Sequence, residues 1–311
     1  MKNMSTAMLT QTFSTPKFVV TPLEEADRIP ANFYISQEAS PRAALMDMYW
    51  AIHTAPCNVA FWMPPKDILP VNSSAVLDRA FATSAETLDS MHVTRARVSD
   101  SDNRASRNKS LREYFKSASD MAPLHLKKDL LQWQSTTMRI LGPMESSAQN
   151  IGLRATLATG RTYKMNVLPG KDFHFDGRGF GERLQVPESP LGRPLAYHTN
   201  LRMLWPQAGS GTLFIDNDDF DHEAAARSLA VTNYGDIRYL KEAVPAYKMP
   251  TWGFALLTYK GWDHLPINHS RPWKTEDYNP DKRVLWDIMA SIKPDPAGHA
   301  HWLAKQGLSP S

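Results

Sequence analysis

After Gly142 the chain becomes a series of short runs of β-prone residues separated by glycine, proline and asparagine. Several short strands joined by turn-rich connections favour a sandwich, a jelly roll or a cupin-like barrel over a parallel α/β sheet. We therefore predict an α+β protein in which the C-terminal half is the β-rich part. The predicted strands cover residues 153–168, 200–206, 211–216, 253–259 and 283–292.

The region before these strands has a different pattern. Residues 1–45 are rich in Ser, Thr and Pro and show little periodicity, which predicts an extended arm. Residues 46–145 are predicted to be mainly helical and to pack on the barrel, and residues 294–311 to form a tail after the barrel domain, 146–293. The predicted elements of the second region are a buried strand at 57–62, a helix at about 76–91, a polar loop at 94–109 and a helix from 126 to 141 that Gly142-Pro143 ends.

Composition sets the broad class of the protein. The chain has 42% hydrophobic and 22% charged residues, near the averages for soluble globular proteins. Its 35 basic and 32 acidic residues leave a small excess that calls for neither a nucleic-acid nor a membrane partner. The single cysteine, Cys57, cannot form an intrachain disulfide, and neither a secretory signal nor an apolar run of about eighteen residues is seen. These features predict a cytoplasmic protein.

The candidate chemistry begins with His174-Phe175-Asp176. In an extended segment, alternate residues project to the same face, so His174 and Asp176 would point together. The tripeptide follows a Pro169-Gly170 turn after the first long predicted strand, which places it at the mouth of the predicted barrel. Two imidazoles and one carboxylate leave the opposite face of an octahedral metal open, as in non-haem Fe(II) oxygenases. The third ligand must come from elsewhere in the chain.

That third ligand is predicted to be His269. An apolar strand at 253–259 is followed by a loop and then by the segment Ile267 to Pro272, which carries His269. His264, five residues earlier, is the alternative ligand. It lies in the loop that contains Gly261-Trp262-Asp263, so His269 is the preferred candidate. A second pair, His299 and His301, lies in the predicted tail and is a weaker metal candidate.

The order of these motifs resembles a known family. His-x-Asp, a strand with a Gly-Thr hairpin at 202–212, a Gly-x-Ala-Leu-Leu strand from Gly253 and a His-x-x-Pro from His269 resemble the double-stranded β-helix of Fe(II)/2-oxoglutarate oxygenases over about residues 150–293. Together with residues 58–62, the chain also looks like the bacterial domain-of-unknown-function family 1826 over most of its length. The first resemblance implies a cupin-like or jelly-roll barrel that holds Fe(II), with His174, Asp176 and His269 as ligands.

The same resemblance implies 2-oxoglutarate as co-substrate, held by a basic residue on a late strand. The positional match is Arg283, which opens the predicted strand fourteen residues after His269. Arg271 is the rival, and Arg202 on an earlier strand would serve if its side chain points inward, although surface exposure is the more ordinary role for it. Arginine suits the role because its guanidinium binds a carboxylate in a bidentate manner.

Taken together, the sequence predicts an Fe(II)-dependent and 2-oxoglutarate-dependent dioxygenase that oxidises a small-molecule or peptide substrate. Two alternatives stay open: a cupin-like protein that binds Zn(II) or another divalent ion without oxygenase activity, and a non-enzymatic ligand-binding barrel. Neither GxGxxG nor GxxxxGK[ST] nor GxSxG occurs, so nucleotide-binding folds and serine hydrolases lack their usual motifs.

Overall fold

The structure is a computed structural model, and it describes residues 19–54, 57–69, 127–147, 156–159, 174–175, 183–186, 195–198, 200–208, 211–221, 244–258, 266–270, 284–291 and 295–308. Within these residues it contains β-strands, α-helices and short 3-10 turns. The α+β class predicted from the sequence is confirmed.

Two sheets contain most of the strands, which are numbered in chain order. The five-stranded sheet consists, in spatial order, of β1 (Val19–Pro22), β10 (Pro245–Lys248), β9 (Leu213–Ile215), β12 (Asn268–Ser270) and β5 (His174–Phe175). The six-stranded sheet consists of β2 (Phe33–Ser36), β3 (Val59–Trp62), β11 (Phe254–Leu257), β8 (Asn200–Ala208), β13 (Val284–Ser291) and β4 (Thr156–Thr159). A separate hairpin joins β6 (Arg183–Val186) to β7 (Leu195–His198).

The two large sheets face each other across one apolar core. Phe61 of the six-stranded sheet meets Phe214 of the five-stranded sheet edge to face, with ring centroids 5.1 Å apart. Phe33 packs against both rings, at 5.4 Å from Phe61 and 6.5 Å from Phe214. Because side chains alternate along a strand, these contacts define the inner face of each sheet. The same cluster includes Leu204 and Leu257.

From β4 onward the chain passes repeatedly between the two sheets. β4, β8, β11 and β13 belong to the six-stranded sheet, whereas β5, β9, β10 and β12 belong to the five-stranded sheet. Most consecutive strands therefore lie in opposite sheets, apart from the neighbours β9 and β10, which pair with each other. Strands β5 and β12, which are far apart in sequence, become hydrogen-bonded neighbours.

Helices cover the outer face of the six-stranded sheet. They are α1 (Pro41–Ile52), α2 (Lys127–Ser147) and α3 (Pro296–Lys305). The start of α1 is fixed by Ser40, whose side chain accepts a hydrogen bond from the Ala43 amide at 3.2 Å, with Pro41 in the first turn. In the part of the chain that the structure describes, no helix is long and apolar enough to cross a membrane.

Most of the predicted elements that fall on described residues are confirmed. The strands predicted at 57–62, 200–206, 211–216, 253–259 and 283–292 are β3, β8, β9, β11 and β13, and the first predicted run contains β4. The helix predicted from 126 is α2. The helix predicted at 76–91 and the loop at 94–109 lie outside the described residues.

The predicted end of α2 at Gly142-Pro143 is wrong, because the helix continues through Pro143 to Ser147. Ile140, Leu141 and Met144 are all buried, so the same face keeps packing beyond the proline. Proline removes one intrahelical hydrogen bond, from its own nitrogen to the carbonyl of Arg139, and Arg139 is exposed.

The chain ends also contain more regular structure than predicted. β1 and β2 lie within the predicted arm 1–45 and join the two sheets by parallel pairing with β10 and β3. Helix α3 lies within the predicted tail 294–311. Both short strands are held by distant partners, which a local sequence pattern does not reveal.

Candidate metal centre

A row of directly opposed residues crosses the five-stranded sheet. Its register positions are Thr21, Tyr247, Phe214, His269 and His174, on β1, β10, β9, β12 and β5. Three of these side chains show that the row faces the core. Phe214 packs on Phe61, Tyr247 lies 5.3 Å from Phe33, and His269 stacks on Phe214.

His269 is held in one orientation on this inner face. Its residue is only 3% exposed, and the imidazole lies 6.1 Å from the Phe214 ring at an interplanar angle of 27°. Nδ1 is 3.3 Å from the carbonyl oxygen of Ile267. A carbonyl can only accept a hydrogen bond, so Nδ1 is the donor and carries the proton. In the neutral imidazole the lone pair is then on Nε2, the nitrogen through which histidine would bind a metal.

His174 is the direct cross-strand neighbour of His269. The two residues are Cα partners in the antiparallel pair of β5 and β12. Directly opposed residues of such a pair have Cα atoms about 4.5–5.5 Å apart. The backbone thus brings together two of the three residues that the sequence predicts as ligands, although 95 positions separate them in the chain (269 − 174).

The third predicted ligand, Asp176, lies outside the described residues, as does the alternative His264. Among the residues that the structure describes, no group of three histidine, cysteine or acidic residues could hold a metal ion. The described donor nevertheless fits such a site, because His269 is buried and its Nδ1 lies beside the Ile267 carbonyl, which in the neutral imidazole leaves the lone pair on Nε2.

Arg202 brings a positive charge to the inner face of the opposite sheet. It lies on β8 directly opposite Leu257 of β11, and Leu257 belongs to the core. Leu204, two residues further along β8, is also in the core, so alternation puts Arg202 on the inner face, where it is half-buried. The other two arginines predicted to bind a co-substrate, Arg271 and Arg283, lie outside the described residues.

Tyr247 lies in the same row, between Thr21 and Phe214. Burial raises the pKa of its phenol, and the nearby carboxylates of Asp216 and Asp219 raise it further, against a smaller opposing effect of Arg28. The phenol therefore stays neutral at physiological pH and retains its O–H donor.

The pair His299 and His301 does not form a chelating site. Both lie on α3, two residues apart, so their side chains are about 200° apart around the helix. His299 is buried against Trp50, whereas His301 is exposed. One metal ion could not reach both rings.

Two groups at His269 were not predicted from the sequence. Phe214 and the Ile267 carbonyl hold the imidazole, and their roles depend on the pairing of β9 with β12 and on the local backbone. The pairing partner of a strand is a long-range property, and no motif in the sequence encodes it.

The comparisons with known proteins give a distant resemblance among solved structures. Among solved structures, the chain is similar to the dioxygenase for auxin oxidation 1 from Arabidopsis thaliana, solved in complex with 2-oxoglutarate, at 8% sequence identity and a TM-score of 0.32. The alignment covers 86% of this chain and 94% of that chain. No protein-family profile and no curated protein matches the chain, so the resemblance to family 1826 has no support from sequence comparison.

Proposed function

We propose that this protein is a non-haem Fe(II) dioxygenase that uses 2-oxoglutarate to oxidise, most simply to hydroxylate, a substrate. The observation that carries the proposal is the direct cross-strand pairing of His174 with His269 in the sheet whose inner face presents the His269 imidazole. The two histidines that the sequence picks out as ligands thus become neighbours.

The strand pattern supports a double-stranded β-helix as the scaffold. From β4 to β13, eight strands are distributed four and four over the two facing sheets, as expected for a jelly roll. In such a scaffold β5 and β12 would supply ligands from one sheet, while the opposite sheet would complete the walls of the site.

The proposed ligands are His174, Asp176 and His269. Asp176 follows His174 by two residues and would project to the same side of an extended segment. Two imidazoles and a carboxylate on one face leave positions open for other molecules. Bound Fe(II) with 2-oxoglutarate would supply oxidising chemistry, in which decarboxylation of the co-substrate drives oxidation of the substrate by dioxygen.

The residues of the chain would orient the metal ligands and enclose the site. The Ile267 carbonyl fixes the Nδ1 proton of His269, and the Phe214 ring limits rotation of the imidazole. The packed core beside them excludes water from one side of the site. An inward arginine would bind the distal carboxylate of the co-substrate, with Arg283, Arg271 and Arg202 as candidates.

The test is an anaerobic titration of the purified protein with Fe(II) and 2-oxoglutarate, followed by absorption spectroscopy. We expect a metal-to-ligand charge-transfer band that His174→Ala and His269→Ala each abolish. His301→Ala is the matched control, because His301 is an exposed histidine on α3, and this variant should keep the full band. Addition of dioxygen should then release succinate from the wild type.

Three outcomes would contradict the proposal. Binding of Zn(II), together with the absence of a charge-transfer band in the titration with Fe(II) and 2-oxoglutarate, would favour the cupin-like metal protein. Failure to bind any divalent ion would leave the non-enzymatic barrel. Loss of the band in His301→Ala would place the metal elsewhere.

A further inference from the structure

Helix α3 docks on the protein through one face that contains a buried histidine. His299, Trp302 and Leu303 occupy positions i, i+3 and i+4 and are the buried residues of the helix. The His299 residue is 5% exposed, and its ring lies flat on the Trp50 indole of α1, with centroids 5.0 Å apart and an interplanar angle of 7°.

The same interface contains a buried carboxylate. Asp47 of α1 accepts a hydrogen bond from the Trp302 indole N–H at 2.6 Å and from the Tyr34 hydroxyl at 3.0 Å. Lys305, at the end of α3, forms an exposed salt bridge with Glu38. These contacts hold α3 against α1 and β2.

We propose that α3 is a pH-sensitive latch, which docks on α1 while His299 is neutral and undocks when His299 takes up a proton from solvent. Undocking would uncover Trp50, Asp47 and Tyr34, so the fold carries a surface whose exposure depends on pH.

The direction follows from the surroundings of the ring. Burial lowers the pKa of His299. The Trp50 face would attract an imidazolium by a cation–π interaction, but the cost of removing the charge from water is the larger effect. The docked state therefore binds the proton less readily than the released helix does.

The sign of the pH dependence is then fixed. A released His299 has an ordinary pKa of about 6.5, above that of the docked form. Docking is complete above this pH and weakens as the pH falls through it, by at most about tenfold per pH unit for one proton.

Other groups in these elements respond differently. Burial and then Asp47 raise the pKa of Tyr34, and a hydrogen bond with Glu38 raises the pKa of Lys305, so neither changes charge near neutral pH. The remaining charged or titratable groups of the packed elements are Arg42, Asp47 and Tyr49 on α1, His53 at its end, Glu38 before it, and Asp295 and His301 at α3. Variants must separate His299 from these groups.

The experiment is hydrogen exchange of the α3 amides in the full chain at about pH 7.5 and about pH 5.5, corrected for intrinsic exchange rates. We expect protection in the wild type to fall by up to about tenfold. His299→Phe keeps a stacked ring without a titrating nitrogen, and its protection should not change with pH. His301→Phe alters the exposed histidine of the same helix and should behave as the wild type does.

Two results would overturn the latch. One is a loss of α3 protection at low pH that persists in His299→Phe. If Asp47→Asn abolishes this loss, the Asp47 carboxylate is the group that causes it. The other comes from the unmodified protein: an NMR titration that gives native His299 a pKa at or above about 6.5 contradicts the proposal even if His299→Phe fails to dock.

Discussion

Gly211 occupies a position where the backbone of another segment comes within contact distance. A Cβ atom added there would lie 1.8 Å from the carbonyl oxygen of Met249. The two segments are tied together, because the Met249 amide donates a hydrogen bond to the Thr212 carbonyl at 3.0 Å. The obstacle is therefore backbone, which cannot move aside as the end of a flexible side chain can.

We predict that Gly211→Ala destabilises the protein by about 3 kcal/mol or more, since β9 or Met249 must shift. Gly142→Ala is the matched control, because an added Cβ at this helical position has no neighbouring atom within 4 Å. The control should be neutral or more stable by up to about 1 kcal/mol. Urea unfolding of both variants measures the difference, and equal free energies of unfolding would refute the prediction.

At the same residue scale, the sequence could predict candidate ligands for the proposed metal site but not their surroundings. His174 and Asp176 were recognised by their spacing, and His269 by its place after an apolar strand. The pairing of the strands decides whether Arg202 faces the core and whether Phe214 stacks on His269. A shift of register by one residue would reverse both faces, and in this sheet the register involves partner strands that are distant in the sequence.

At the scale of elements, a buried polar network joins α2 to the six-stranded sheet. The Gln207 side chain on β8 is fully buried, and its Oε1 accepts hydrogen bonds from the indole N–H groups of Trp133 at 2.5 Å and Trp286 at 2.7 Å. Its Nε2 donates to the Thr137 hydroxyl oxygen at 3.1 Å. One amide thus fixes α2 and β13 relative to β8.

We predict that Gln207→Leu lowers the free energy of unfolding by about 3 kcal/mol, because two buried indole N–H groups lose their acceptor at about 1–3 kcal/mol each. Gln132→Leu makes the same chemical change at an exposed position of α2 and should alter stability by less than about 0.5 kcal/mol. Chemical denaturation compares the two. A loss below about 1 kcal/mol in Gln207→Leu would mean that water replaces the amide.

The elements that could be predicted are those with a local signal. Strand β11 is a continuous apolar run, and α2 has an apolar stripe at helical spacing. Strand β10, with the sequence PAYK, shows no such pattern and forms because β1 and β9 pair with it on both sides. Helix α1 did have a local signal, the Ser40-Pro41 start, which the interpretation of residues 1–45 as an arm overlooked.

At the scale of the whole molecule, the two described sheets pack on a core that depends on distant parts of the chain. Phe33 and Phe61, from the first quarter of the sequence, pack against Phe214 of the opposite sheet. Cys57 leads into β3, which lies between β2 and β11, and its thiol donates a hydrogen bond to the Val59 carbonyl at 3.4 Å. Because the Cys57 residue is only 7% exposed, a reagent reaches its thiol only when the surrounding structure opens.

Cys57 should therefore report on global unfolding. It is the one cysteine of the chain, and burial raises the pKa of its thiol from 9.0 to about 12, which makes the reactive thiolate about a thousandfold scarcer near pH 8. We predict that an excess of a thiol reagent labels Cys57 in the native protein at the rate of unfolding. Denaturant should increase the labelling rate as it increases the unfolding rate.

A matched control places the thiol on the surface instead. In Cys57→Ala combined with Ser135→Cys, the new thiol lies at an exposed position of α2 and should react within the time of mixing without denaturant. Labelling of native wild-type Cys57 at a similar rate would show that β3 is reached by local opening. In that case the two sheets would not unfold as one cooperative unit, because the strand between β2 and β11 would separate while the remaining core stayed packed.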